Sequence, residues 1–293
     1  MPRIDVRRFN LATVYAGTGQ NPNRHRRQQI APQAPSQAPQ GLSAARRPAY
    51  DGDVHSSWIG ENGELAVAGA FGDVAMHHHP AVQVAVGLDG PLELTTADGV
   101  THRCRAVAVA SGTRHALSCA AGVTPISLYL RPETAPGAGI NARASGGVWI
   151  GEESLSECIA TVFAESGLEA AARRLIDELS AGTPRRDSHP QLEQAIDLVR
   201  ADPTDRVDLV SVARAVALSP DYLGRLFKKQ TGTSFSATTR WIRLLAAMEH
   251  VRDGVSVTDA AHSAGFADGA HANRACWEML GGSPRDLTRA LAE

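Results

Sequence analysis

Two groups of side chains in this 293-residue chain have types and spacings that bear on chemistry. The first is a histidine cluster. His77 and His79 fall in Met76-His77-His78-His79-Pro80, Gln83 lies in the apolar run VQVAVGLDG that follows, and His115 closes Ser111-Gly112-Thr113-Arg114-His115. Imidazoles suit a divalent transition metal, and three of them leave coordination positions open for exchange. The same four residues, His77, His79, Gln83 and His115, could equally be the polar lining of a pocket for a small effector. The pocket is favoured, because no carboxylate accompanies the imidazoles to offset a cation's charge. A divalent metal ion stands as the candidate cofactor.

The second group is a basic helix face far downstream. In VDLVSVARAVALSPDYLGRLFKKQTGTSF, Leu209, Val212, Ala213 and Val216 recur as one short amphipathic helix. Ser219 is a good N-cap, Pro220 fits the first helical position, and Gly232 suits a left-handed C-cap. Leu223, Leu226 and Phe227 then face inward, leaving Asp221, Tyr222, Arg225, Lys228 and Lys229 outward. Two short helices across a tight turn, the second with an exposed basic face, is how a recognition helix enters a DNA major groove.

The pattern returns about 48 residues later: Ala213 matches Ala261, Ala217-Leu218 matches Gly265-Phe266, Arg225 matches Arg274 after one inserted residue, and Gly232 matches Gly281. Between the copies, Phe235 to Val251 reads as a longer helix with Trp241, Leu244, Leu245 and Met248 toward the cores. Recognition helices on one rod could enter successive major grooves, about 34 Å apart.

Arg225 is the best single contact to guanine. Tyr222 would reach a thymine methyl or a phosphate. The DNA-contacting set is Asp221, Tyr222, Arg225, Lys228, Lys229 and Arg240 in the first unit, with His271, Asn273 and Arg274 in the second. From Tyr222 to Arg243 there are five basic residues and no acidic one, whereas Asp268, Glu278 and Asp286 offset Arg274, Arg285 and Arg289. The first unit is therefore expected to supply most of the affinity.

The rest of the chain must position these groups. Residues 1–48, rich in Pro, Gln and Arg, cannot bury enough surface to order themselves and are expected to be disordered. Residues 49–136 break into short β-rich runs, ELAVAGAF, VQVAVGL, LELTTA, RAVAVAS and PISLYL, with Asp89-Gly90 and Asp98-Gly99 as turns; a small sandwich or barrel follows. Residues 137–189 form a helical connector, its two apolar stripes separated at Gly167, and either cap the β domain or form a dimer seam. Residues 190–293 are all-α, with helix-turn-helix units at 209–230 and 257–280. The fold class is thus α+β.

Net charge is −2, no apolar run approaches the roughly 20 residues of a membrane span, and no secretory leader is legible. Four cysteines without a CxxC pair suggest reduced thiols in the cytoplasm. Nucleotide-binding glycine loops, the G-x-S-x-G elbow and HExxH are missing, so no catalytic constellation is expected.

ALSPDYLGRLFKKQTG, the AAHSAGF turn and GGSPRDL together resemble the AraC family of transcriptional regulators, over roughly residues 191–292. The second unit departs from that family's pattern, with Ala272 for an aromatic and Cys276 for a phenylalanine; Trp277 and Met279 would compensate by repacking. The spacing His77-x-His79-x3-Gln83-x6-Gly90 is similar to the first cupin motif, with Gln83 in place of glutamate, and Ser111–His115 echoes the second. The resemblance implies a cupin-like N-terminal effector or dimerisation domain before the double helix-turn-helix domain. Expected partners are promoter or operator DNA, a small-molecule effector, RNA polymerase and a second copy of the chain, with no membrane. The protein is expected not to be an enzyme; the alternative is a metal-dependent cupin enzyme, a dioxygenase or isomerase, with a helical appendage.

Overall fold

A computed structural model describes residues 56–69, 73–182, 189–204 and 207–284. The expected disordered segment 1–48 and the charges of Arg285, Asp286 and Arg289 lie outside the described residues. Ten strands and eight helices follow in order: β1 (Ser56–Ile59), β2 (Leu65–Ala68), β3 (Val74–His77), β4 (Val82–Gly87), β5 (Leu92–Thr96), β6 (Thr101–Cys104), β7 (Ala106–Val109), β8 (His115–Cys119), β9 (Pro125–Leu130), α1 (Ala135–Arg143), β10 (Val148–Ile150), α2 (Glu153–Ser180), α3 (Pro190–Ala201), α4 (Leu209–Ala215), α5 (Pro220–Thr231), α6 (Phe235–Arg252), α7 (Val257–Ser263) and α8 (Gly269–Leu280). No helix among the described residues is long and apolar enough to cross a membrane.

The strands form two antiparallel sheets, β1-β2-β9-β4-β7-β10 and β3-β8-β5-β6. Strands β2, β4 and β7 are buried at every position, which explains their nearly unbroken apolar runs: both faces are covered. On one face, Val82, Val84, Val86, Ile126 and Leu128 meet Ile140 of α1 and Ile159, Phe163, Leu168 and Leu175 of α2. On the other, Ala85, Val107 and Val109 meet Leu92, Leu94 and Leu117 of the smaller sheet. At about 25 cal/mol per Å² of apolar surface, these two layers are the main stabilising term of the β part.

The connector reading needs correction. Val148–Ile150 pairs with β7 as an edge strand, so the sheet extends well past residue 136. Three residues carry too little alternation to register as a strand. The amphipathic helices do cover the β domain: α2 is continuous except at Gly167, whose φ of 79° lets the chain kink so that both halves follow the sheet.

Each helix from α4 to α8 starts on a side-chain cap: Asp208, Ser219, Ser234, Ser256 and Asp268 each accept a hydrogen bond from a backbone N–H three residues on. The first helix-turn-helix unit has its own core, in which Leu223, Leu226 and Phe227 pack on Val212, Ala213 and Ile196. The core of the second unit is shared. Leu65, Val67 and Ala81 of the β domain pack with Trp241, Leu244, Met248, Phe266, Cys276 and Met279. Leu65 and Val67 alternate along β2 with Ala66 and Ala68, which face α2, so one short strand serves both cores.

Candidate nucleic-acid interface and histidine centre

Helix α5 presents the expected face. Asp221, Tyr222, Arg225, Lys228 and Lys229 are exposed on it, while Leu223, Leu226 and Phe227 hold it to the core. Arg225 forms an ion pair with Asp221 one turn earlier, both side chains largely in solvent. Lys228 Nζ donates to Gly232 O at 2.9 Å, and Lys229 projects freely outward.

Arg240 is placed differently from expectation. It donates twice to Glu278, at 2.7 and 3.0 Å, bridging α6 to α8, and its Nε is buried without a partner. Arg243 Nε likewise donates to Pro203 O at 2.9 Å. The acid-free stretch from Tyr222 to Arg243 is therefore not a uniformly open basic surface, because Glu278, far along the chain, closes on it.

On α8, Asn273 and Arg274 are exposed, and His271 is half-buried, edge-on to Phe266 at 5.3 Å. Met279 fills the core beside Ala272 and Cys276, but Trp277 does not: it remains 48 % exposed. Its exposure one turn beyond Asn273 adds an aromatic to the outward face, which sequence reasoning had placed in the core.

Residues His77, His79, Gln83 and His115 do come together. The turn between β3 and β4 carries His79, and His77 pairs in register with His115 across β3 and β8. All four side chains are buried, and the three rings lie 4.3 to 5.5 Å apart by centroid. Each Nδ1 donates to a backbone carbonyl: His77 to Ala75 at 2.8 Å, His79 to Ala81 at 2.9 Å, His115 to Thr113 at 3.0 Å. A carbonyl can only accept, so each ring keeps its proton on Nδ1 and turns an Nε2 lone pair inward. Burial, reinforced by His115 and His79, pushes His77 down to about 2; burial and His115 push His79 down to about 3; burial also lowers His115. The rings are therefore neutral at ordinary pH.

Two aromatic residues, both unforeseen as part of the site, flank the centre. Tyr129 is edge-on to His79 at 5.2 Å, its hydroxyl pushed up to about 12 by burial, and Trp241 of α6 lies 5.5 Å from the same ring. No motif could have indicated them, since both are distant in sequence. A separate cleft opens where the β domain meets α3 and α6, lined by Ile59, Leu65, Leu245 and Met248 with Arg131 and Arg200. Both guanidiniums reach Asn62 O, at 3.4 and 3.3 Å, and burial, together with Arg131, holds Arg200 below its usual value.

Residues 212–290 match a helix-turn-helix domain family. That match places a helix-turn-helix domain in the C-terminal part of the chain. Two curated relatives are similar over part of the chain. The transcriptional regulator GlxA of Rhizobium meliloti (strain 1021) is 30 % identical over 103 residues, 35 % of this chain and 32 % of that protein. The uncharacterised transcriptional regulatory protein YesN of Bacillus subtilis (strain 168) is 32 % identical over 147 residues, 45 % of this chain and 40 % of that protein. The aligned stretch thus spans less than half of either relative. Over the longer span, a variant of apo ToxT from Vibrio cholerae strain SCE256 shares the fold, with a TM-score of 0.58 and 12 % identity, covering 80 % of this chain and 99 % of that one. ToxT has also been solved with an unsaturated fatty acid bound, with a TM-score of 0.51 to this chain and 13 % identity over 77 % of this chain and 95 % of that one. Both likenesses show the same fold, an N-terminal β-sheet domain ahead of a helical one.

Proposed function

We propose that the protein is a sequence-specific DNA-binding transcriptional regulator, working in the cytoplasm under the control of a small-molecule effector. The observation that carries this reading is the duplicated helix-turn-helix unit. Two exposed helices, α5 and α8, sit on matched turns and end in matched left-handed glycines at φ of 74° and 66°. Duplication of turn, cap and outward polar face is what reading two successive grooves requires. Arg225, Lys228 and Lys229 supply base and phosphate contacts in the first groove, and Asn273 and Arg274 in the second.

The effector site that fits best is the cleft against α3 and α6. An apolar body would lie on Ile59, Leu65 and Met248, and an anionic group would meet Arg131 and Arg200, competing with Glu133, which already pairs with Arg131, and with Glu64 and Glu249. The unsaturated fatty acid bound by ToxT is a ligand of that chemical class. A second copy of the chain and RNA polymerase are proposed as further partners.

The test is binding of the full chain to the DNA upstream of its own gene, against a scrambled duplex at physiological salt. Preference for the upstream fragment, lost in Arg225→Ala, supports the reading. Equal affinity for both duplexes, unchanged by Arg225→Ala, overturns it.

A further inference from the structure

The histidine centre presents more lone pairs than its own protons can satisfy. With every Nδ1 proton committed to a carbonyl, the Nε2 atoms of His79 and His115 face Gln83 Oε1 at 3.1 and 2.8 Å, acceptor against acceptor. His77 Nε2 is buried with no partner at all. Turning the Gln83 amide over would let its two N–H groups donate to His79 and His115, yet would still leave His77 Nε2 buried without a partner. A cation is the species that accepts all these lone pairs at once, and the three ring nitrogens already lie within 4.8 Å of one another.

We infer that His77, His79 and His115, with Gln83 Oε1, hold a divalent first-row transition metal ion, and that its binding is coupled to the placement of both recognition helices. Three imidazoles and an amide oxygen suit zinc, cobalt, nickel or ferrous iron better than calcium or magnesium. Backbone carbonyls behind each ring fix its tautomer and aim, as outer-shell partners do in metal sites. Because all four donors are neutral, the ion's charge stays uncompensated, which weakens binding and makes occupancy reversible. A structural site would gain by the opposite choice.

The coupling follows from what the ligand-bearing segments touch. Ala75, whose carbonyl holds His77, donates its N–H to Gly281 O at 3.1 Å, and His78 N–H donates to Glu278 O at 3.0 Å; these bonds grip the C-terminus of α8. Ser111, four residues before His115, has its hydroxyl at 2.5 Å from Thr231 O, and a side chain on the next residue, Gly112, would press on Thr233 at the C-terminus of α5. Trp241 of the helix between the two units lies against His79. Nitrogens on one tetrahedral ion at about 2.1 Å sit roughly 3.4 Å apart, and the ligand atoms here all lie within 4.8 Å of one another, so loading would fix the separations of these segments. Both C-caps and the connecting helix therefore register the ion.

The DNA half of this inference rests on the regulator reading, so the test reads metal and DNA separately. The full chain is stripped with chelator and titrated with Co(II), following visible d–d absorption and tryptophan emission, then DNA affinity with and without the ion. Expected are one equivalent of Co(II), a change in emission that is lost in Trp241→Phe, and a change in DNA affinity. His77→Asn and His115→Asn, checked by circular dichroism to be folded, should each lose the Co(II) bands, and Gln83→Glu should tighten binding. Absence of the bands in folded wild-type protein, or their persistence in the folded His77→Asn, His115→Asn double variant, overturns the site. Bands without any change in emission or DNA affinity overturn the coupling. Bands and an emission change in a protein that binds no DNA support the metal centre and refute the regulator reading instead.

Discussion

Ala217 and Gly265 occupy the same left-handed position in the turns of the two helix-turn-helix units, at φ of 56° and 79°. In each unit the next residue donates back to the preceding helix, Leu218 N–H to Ala213 O and Phe266 N–H to Ala261 O. Ala217 is the one non-glycine with positive φ among the described residues, so the first turn carries strain that the second avoids. An L-residue there costs about 1–2 kcal/mol, partly offset by the lower unfolded-state entropy of alanine, about 0.4–1 kcal/mol. Ala217→Gly should therefore stabilise the protein by about 0.5 kcal/mol in urea unfolding. Gly265→Ala should go the other way by about 2 kcal/mol or more, since its Cβ would stand 2.4 Å from Pro203 O.

The Asp221–Arg225 pair yields a prediction of opposite signs on one helix. Asp221→Asn removes an anion from the DNA face and should raise affinity for non-specific DNA. Arg225→Ala should abolish preference for the operator at a cost of about 1–3 kcal/mol. Lys229→Ala should weaken all duplexes alike and reduce the slope of log affinity against log salt by about 0.9. A mobility-shift series from low to high salt separates the three.

Arg240 and Glu278 form a half-buried bidentate bridge between α6 and α8. A double-mutant cycle with Arg240→Met and Glu278→Gln should give a coupling energy of about 1 kcal/mol in stability, the upper end for partly exposed pairs. A coupling seen only in DNA affinity, with none in stability, would place Arg240 on phosphate instead.

Trp277 is exposed although its flanking positions Cys276 and Met279 are core. Trp277→Ala should leave the thermal midpoint unchanged while lowering DNA affinity. A fall of several degrees in the midpoint would mean that the indole packs after all.

The four cysteines are free and differ in reach. Burial pushes the Cys276 thiol up to about 12 and raises Cys104 and Cys119 as well. At pH 8, alkylation followed by peptide mapping should label half-exposed Cys158 first and Cys276 only on unfolding. A raised native value also means that the stabilising effect of keeping Cys276 protonated is present below the unfolded thiol's value near 9, and is lost as pH rises from there toward 12.

Much of this protein is written locally. Caps and turns act over three or four residues, so Ser219-Pro220 and Gly232 announced both ends of α5, and the repeated glycine at Gly281 the end of α8, while the Asp268 cap emerged only in the structure. The histidine spacing likewise brought His77, His79 and Gln83 to one turn and strand, because alternate residues of an extended segment share a face.

What spans long distances in sequence was decided only by tertiary packing. Val148–Ile150 became an edge strand because β7 offered it backbone partners, not through any pattern of its own. Glu278 neutralised Arg240, Trp277 stayed outside while Met279 went in, and Trp241 and Tyr129 closed on His79. Above all, Leu65 and Val67 joined the β domain to the second helix-turn-helix unit in one core. Burial, charge pairing and ring stacking depend on which distant surfaces meet, and periodicity along one segment holds no information about the partner it will face.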